Sequence, residues 1–164
     1  MAKNRNSLSS QAQSVCVNEE PVEKSQEEKP VSQKSEHGST TKIYEGDYCD
    51  GKFHGKGKLT WPNGDIYQGD FVHGRRSGHG KFTCKTGSIY VGAWINDKRH
   101  GKGTLILANS DTYQGDFVHG KRSGRGKYTC KTGESYEGTF FNNEMTGKGN
   151  VDFGNGDRYE GDVE

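Results

Sequence analysis

Histidines, cysteines and glycine motifs are the features of this sequence whose residue types could support chemistry. Histidines could act as general bases or metal ligands, but His54, His79 and His100 have no carboxylate partner at triad-like spacing. The cysteines form no Cys-x-x-Cys pair. Five Gly-x-Gly motifs could bind phosphate, but none has the third glycine of a dinucleotide fingerprint, and no Walker motif is present. We therefore predict no catalytic centre, no cofactor and no metal site, and interpret these histidines as residues of hairpin loops.

The elements that position these residues follow from an internal repeat of 23 residues. A tyrosine opens each repeat and a glycine follows two positions later; the tyrosines are Tyr44, Tyr67, Tyr90, Tyr113, Tyr136 and Tyr159. The Gly-x-Gly motif and a turn triplet such as Asn63-Gly64-Asp65 keep the same register. This pattern predicts five full repeats from Tyr44 and a partial sixth. The sequence also has a superperiod of 46 residues, or two repeats, since residues 67–87 recur almost unchanged at 113–133.

Within each repeat the apolar residues alternate, which is typical of strands and not of helices. Each repeat is predicted to be a β-hairpin whose second strand follows a loop of about five or six residues and carries both glycines of the Gly-x-Gly motif. Glycines on one face leave slots into which rings can lie flat. We therefore expect an all-β fold: an elongated single-layer antiparallel sheet of stacked hairpins, with a shallow groove along its ring-bearing face.

The first part of the chain has a different composition. Residues 1–42 contain no aromatic side chain, and six basic residues balance six acidic ones. So little apolar surface cannot offset the entropy cost of ordering, so we predict a disordered tail over 1–42 before the repeat ribbon of 43–164. The longest aliphatic run, Leu105–Ala108, is too short to cross a bilayer, so we expect a soluble, cytoplasmic protein.

The rings supply one candidate binding surface. As a one-layer sheet cannot cover both of its faces, we expect part of the ring surface to stay open and to line a groove for a partner peptide or helix. Packing of the sheet is the alternative role for each ring. The candidate groove residues are Tyr67, Phe71, Tyr90, Trp94, Tyr113 and Phe117. Nucleic acid is not an expected partner, because rings wedged over glycines are poorly placed to stack on bases.

Basic residues supply a second candidate surface. Residues 67–135 hold 12 Lys and Arg against 5 Asp and Glu, a net charge of +7, although the whole chain carries only +1. Stacked repeats should align these cations as a basic ladder along one edge, able to meet lipid phosphates or an acidic protein segment. The alternative is that the loops are charged for solubility. The ladder comprises Arg75, Arg76, Lys98, Arg99, Lys121, Arg122 and Arg125.

Tyr-Glu-Gly-Asp-Tyr at 44–48, followed by His-Gly-Lys-Gly at 54–57 and Asn-Gly-Asp at 63–65, resembles the MORN (membrane occupation and recognition nexus) repeat. The resemblance covers 44–164 and implies a ribbon of hairpins used for binding, with no shared catalytic residue. Proposed roles in this family are gripping a partner, self-association and phospholipid contact. We expect a non-enzymatic interaction scaffold, with a cytoskeletal or ciliary assembly or the cytoplasmic face of a membrane as its setting. Peripheral phospholipid binding is the alternative function.

The last predicted strand also leaves an open sheet edge near Glu164. An open edge presents unpaired backbone groups and is usually covered. Dimerisation, a partner protein and the residue 1–42 segment are the three alternatives for covering it.

Overall fold

The computed structural model describes residues 41–163, and the regular structure within them is entirely β-strand. The predicted disordered tail lies outside the described residues, apart from its last two positions. Eleven strands form one open antiparallel sheet in which each strand pairs with its neighbours in sequence, as the repeat pattern predicted. The strands are β1 (Ile43–Cys49), β2 (Lys52–Thr60), β3 (Ile66–Val72), β4 (Arg75–Thr83), β5 (Ile89–Ile95), β6 (Lys98–Ile106), β7 (Thr112–Val118), β8 (Lys121–Thr129), β9 (Ser135–Phe141), β10 (Glu144–Asp152) and β11 (Arg158–Val163).

The hairpin loops are shorter than predicted. His73 and Gly74 alone connect β3 to β4, and both have positive φ angles, of 50° and 85°. A two-residue loop in which both residues have positive φ matches the right-handed twist of the flanking strands. The strands therefore pair as far as the residues next to the loop. The predicted loop of five or six residues is therefore wrong, and His54, His79 and His100 lie within strands.

The two glycines of each Gly-x-Gly motif have different roles. The first, such as Gly124, has a positive φ of 103° and lies where the register between β7 and β8 shifts. This is a β-bulge, and it leaves Asp116 without a paired residue on β8. The second, Gly126, pairs directly with Gly115 of the neighbouring strand. Only the second glycine takes the role that the sequence suggested for both.

A tyrosine ring lies flat over each such pair of glycines. A Cβ atom built on Gly126 would lie 2.5 Å from Cε2 of Tyr113, so no larger residue fits beneath the ring. The Tyr113 hydroxyl donates a hydrogen bond of 3.0 Å to the carbonyl oxygen of Asp116, the residue at the bulge. The same bond from tyrosine i to carbonyl i+3 occurs in all six repeats, at 3.0 to 3.2 Å.

The tyrosines and the other rings interleave along the sheet. Tyr90 contacts Trp94 of its own strand and Phe117 of the next repeat, with edge-to-face centroid distances of 5.3 and 5.0 Å. Aromatic pairs favour this geometry. We call the side of the sheet that carries these residues the ring face. Burial there raises the pKa of Tyr90 to about 12, so its phenol stays neutral at physiological pH.

Between repeats, the turn triplet ties one repeat to the next. The buried Asp111 accepts hydrogen bonds from the backbone NH of Lys131, at 2.8 Å, and from the hydroxyl of Tyr128, at 2.7 Å. Ser110, which replaces the turn glycine of the other triplets, takes a positive φ of 74°. Asp65 and the NH of Lys85 repeat the first contact at 2.8 Å. The second and fourth repeats are therefore each held at this edge by a carboxylate of the preceding repeat.

The tyrosine–glycine contact predicts a large effect for one added methyl group. Gly126→Ala should lower the free energy of unfolding by about 3 kcal/mol, because the new Cβ collides with a fully buried ring. Gly120→Asn is the matched control: Gly120 has a positive φ of 88° and open space around its Cα, and the equivalent Asn143 has a φ of 79°. It should cost less than about 1 kcal/mol. Urea denaturation measures both, and a tolerated Gly126→Ala would contradict the packing.

Candidate functional site

The rings proposed to line a groove are buried. Tyr67, Phe71, Tyr90, Trp94, Tyr113 and Phe117 expose between 0% and 4% of their surface. They cover one another, and the remaining gaps are filled by side chains of the even-numbered strands. The expectation that these rings keep an open surface is therefore wrong, since a single layer hides them without a second sheet. Packing is the role in which the structure places them.

The basic ladder is aligned along the start of the even-numbered strands, but it divides between the two faces of the sheet. Successive residues of a strand point to opposite sides. Arg75, Lys98 and Lys121 are exposed on the face opposite the rings, which we call the opposite face. The second residue of each pair lies on the ring face, where Arg76 and Arg122 expose only 8% and 1% of their surface. The seven cations do not form one surface.

The ring-face arginines link neighbouring repeats through contacts with their rings and hairpin loops. The guanidinium of Arg122 lies 5.6 to 5.7 Å from the ring centres of Tyr113, Tyr128 and Phe140, within the range of cation–π contacts. Its Nη2 donates a 2.8 Å hydrogen bond to the carbonyl oxygen of Asn143, in the next hairpin loop. Burial lowers its pKa from the usual value.

Equivalent positions of the outer repeats support this structural role. Phe53 of the first repeat stacks on Tyr44 with centroids 3.9 Å apart, at the place that arginine takes in repeats two to four. Met145 takes the same place in the fifth repeat and packs against the core. Apolar residues can therefore substitute for the arginines, as expected of packing residues and not of ligand-binding ones.

A groove of about 1190 Å³ runs along the opposite face, not along the ring face as predicted. Its lining includes the backbone of Gly103, Gly115, Gly126 and Gly138, residues whose Cβ positions face the tyrosine rings on the other side of the sheet. It extends from His79 in β4 to Glu160 in β11. Seven strand spacings of about 4.8 Å make it about 34 Å long.

Charged side chains line this groove. Its four Lys and Arg side chains outnumber its two carboxylates, which belong to the fifth repeat and the partial sixth. The cations are Lys102, Arg125, Lys127 and Lys148, and the carboxylates are Glu137 and Glu160. The Lys102 ammonium lies 2.7 Å from a carboxylate oxygen of Asp116, whose other oxygen accepts a 3.0 Å bond from the NH of Arg125. Asp116 therefore caps the bulge and holds one groove cation in place. Of the predicted ladder, only Arg125 lines the groove.

A row of exposed apolar side chains borders the groove. Val72, Ile95, Val118 and Phe141 end the odd-numbered strands and expose 43% to 65% of their surface. Each pairs across its hairpin with a charged residue, and these are Arg75, Lys98, Lys121 and Glu144. We call these eight residues the hairpin-edge row. Sequence reasoning missed its apolar members, although their constant position after each strand-ending aromatic residue was a readable signal.

Two histidine pairs also meet near the hairpin loops. The rings of His54 and His73 have centroids 5.7 Å apart, and those of His100 and His119 are 5.9 Å apart. Sequence reasoning treated these residues singly, because the contacts join neighbouring repeats. The 46-residue superperiod was the available signal, since the two pairs are related by it.

The two buried thiols among residues 41–163 are poorly suited to act as nucleophiles. Cys84 and Cys130 are free and buried, as expected from their separation, and burial raises the pKa of the Cys130 thiol to about 11. A thiol with so high a pKa is a poor nucleophile.

Within residues 41–163, no helix has the length and apolarity needed to cross a membrane.

The division of the basic ladder predicts unequal effects for neighbouring cations. Arg122→Ala should lower the free energy of unfolding by about 3 kcal/mol, because it removes a buried side chain that contacts three rings and the next hairpin loop. Arg122→Met should cost less, since methionine occupies the equivalent position of the fifth repeat. Lys121→Ala, on the exposed side, should change stability by less than about 0.5 kcal/mol. Equal losses for Arg122→Ala and Lys121→Ala in chemical denaturation would refute the assignment.

The fold and its periodicity agree with a comparison to known families. A family model of the MORN repeat matches five consecutive segments, residues 44–66, 67–89, 90–112, 113–135 and 136–158. A search of curated protein sequences finds no match. MORN repeats are generally protein- or membrane-interaction modules and are not a known enzyme family. Since the matched segments cover more than half of the sequence, the chain belongs to the MORN repeat family.

Proposed function

We propose that this protein is a non-enzymatic binding platform that holds an acidic segment of a partner protein in the groove of the opposite face. The observation that carries the proposal is the groove itself, a depression that extends from β4 to β11 and has an excess of cations in its lining. The ring face cannot serve the same purpose, because its large side chains are already buried by one another.

The dimensions of the groove suit a single peptide segment. A length of about 34 Å accommodates about ten residues of extended chain or about 22 residues of α-helix. A peptide or a helix along the sheet axis is therefore the ligand shape that we propose.

The charges select the sequence of that segment. Lys102, Arg125 and Lys127 lie in the third and fourth repeats, where carboxylates of a ligand would find cations. Glu137 and Glu160 lie toward the other end and would favour basic residues there. Complementary charges of this kind set specificity and the association rate. We infer a partner segment with an acidic stretch at its centre and a basic residue at one end.

The hairpin-edge row supports a second candidate function, binding to anionic phospholipid. Its exposed aliphatic side chains alternate with Arg75, Lys98 and Lys121, as in surfaces that lie at a membrane interface. Three cations near an anionic surface contribute about 3 kcal/mol, less than the about 4 kcal/mol of a millimolar dissociation constant. The aliphatic side chains would have to supply the rest, so we place this function second.

Peptide display against the full chain tests the groove. Peptides selected from a random library should be enriched in Asp and Glu, and Lys102→Glu/Arg125→Glu should weaken the best of them at least about tenfold by fluorescence anisotropy. The matched control, Lys98→Glu/Lys121→Glu, makes the same charge change on the hairpin-edge row and should leave binding within about twofold. Peptides without acidic enrichment, or equal binding to the groove variant, would sink the proposal.

Flotation with phosphatidylserine vesicles separates the second candidate from the first. Lipid binding through the hairpin-edge row would be lost in Lys98→Glu/Lys121→Glu and would fall steeply as salt shortens the Debye length. In that case the groove variant would still float. The two double variants thus give opposite patterns for the two functions.

A further inference from the structure

Each histidine pair joins two consecutive repeats. His54 lies in β2 and His73 in the loop between β3 and β4; His100 and His119 repeat this arrangement in β6 and in the loop between β7 and β8. A backbone hydrogen bond of 2.8 Å from the NH of Gly74 to the carbonyl oxygen of Phe53 brings the first pair together. The NH of Gly120 and the carbonyl of Arg99 form the same bond, also at 2.8 Å, at the second pair.

The other two joints between repeats are built differently. At the joint of the second and third repeats, Arg76 donates from Nε to the carboxylate of Asp97, at 3.0 Å, and from Nη2 to its carbonyl oxygen, at 3.1 Å. At the joint of the fourth and fifth repeats, the backbone NH of Arg122 donates to the side-chain oxygen of Asn143, at 2.9 Å. Glycine replaces these Asx residues at the histidine joints, so bonds to an Asx side chain are absent there, while Arg99 Nη2 still donates a 2.7 Å bond to the carbonyl oxygen of Gly120.

The separation of the rings matches the requirement of a shared metal ion. With a metal–nitrogen distance of about 2.1 Å and about 1.1 Å from nitrogen to ring centre, two imidazoles on a tetrahedral Zn²⁺ have centroids about 5.2 Å apart. The observed 5.7 and 5.9 Å exceed this by about 0.5 and 0.7 Å, which side-chain rotation of an exposed loop histidine can supply. His73 and His119 are both exposed.

A second observation concerns His54. Its Nδ1 atom is buried and has no hydrogen-bond partner among the described residues. Buried polar atoms are nearly always satisfied, and an ion or a water is a common reason when a protein partner is missing. The Nδ1 atom of His54 therefore has an unfilled hydrogen-bonding or coordination position.

We propose that the His54–His73 and His100–His119 pairs are two equivalent binding sites for a divalent transition-metal ion of the Zn²⁺, Ni²⁺ or Cu²⁺ type. Neutral imidazole is a preferred ligand of these ions. Each pair supplies two ligands, and no group of three or more His, Cys, Asp or Glu among the described residues is placed to hold a metal. The other coordination positions are taken by water or by a partner's ligand. Nearby cations, Arg75 and Lys121 among them, weaken the attraction for a dication, so the sites are of modest affinity.

A metal at these positions would tie neighbouring repeats together at the joints that lack Asx side-chain links. The two sites are four strand spacings apart, about 19 Å along the sheet. The imidazole rings take no part in the tyrosine–glycine contacts that hold the sheet, although the backbone carbonyl of His54 accepts a 3.2 Å hydrogen bond from the Tyr44 hydroxyl. Binding would therefore stiffen the ribbon without being needed for its folding.

Isothermal titration of the tag-free full chain with ZnCl₂ tests the proposal. The expected stoichiometry is two Zn²⁺ per chain, falling to one in His73→Asn and to none in His73→Asn/His119→Asn. Asparagine is a safe replacement, because Asn96 and Asn142 occupy the same loop position with φ angles of 48° and 51°, close to the 50° of His73 and His119. His79→Asn, which removes a histidine outside the pairs, is the matched control and should keep both sites.

Thermal unfolding gives a second readout. Zn²⁺ should raise the unfolding midpoint of the wild type and of His79→Asn, but not that of the double variant, since a ligand stabilises only a protein that binds it when folded. Absence of Zn²⁺ binding at millimolar concentration would overturn the proposal. So would a double variant that still binds two ions, which would assign the binding to other groups.

Discussion

In each hairpin, a tyrosine ring lies flat across two glycines that face each other on neighbouring strands. The ring can approach only because both Cβ atoms are missing, and its hydroxyl donates a hydrogen bond to the carbonyl of the residue that the bulge leaves unpaired across the hairpin. Buried carbonyls need such partners, so the bulge and the tyrosine depend on each other. This unit explains why tyrosine, two glycines and a positive-φ glycine recur at fixed spacing, and why the repeat cannot drift in register.

Because the rings are covered within a single layer, the two faces of the sheet have different roles. The ring face is filled by interleaved tyrosine, phenylalanine and tryptophan rings. Arginine side chains pack on these rings and donate hydrogen bonds to the next hairpin loop. All of the packing is thereby done on one side. The opposite face carries none of the large buried rings, and its groove and its hairpin-edge row are the surfaces to which we assign the proposed binding functions.

Much of this fold could be predicted from the sequence, because the 23-residue period fixes which residues become neighbours. The hairpins, the strand order and the alignment of cations follow from it. The position of the groove did not follow, since burial of Tyr67 or Trp94 depends on cover from the next repeat and from Arg76. Strict alternation should have separated Arg75 from Arg76, but the sequence reasoning grouped them by charge. The His54–His73 contact depends on the pairing of a loop with the preceding repeat, which a pattern within one repeat does not contain.

The contact between ring and glycine is open to direct measurement by solution NMR. Protons held above an aromatic ring experience its ring current, so the inward-pointing Hα of Gly115 and of Gly126 should resonate far upfield of other glycines. In Tyr113→Leu these two signals should return toward ordinary values, while those of Gly92 and Gly103, beneath Tyr90, stay shifted. Ordinary shifts for Gly115 and Gly126 in the wild-type protein would contradict the account at its base.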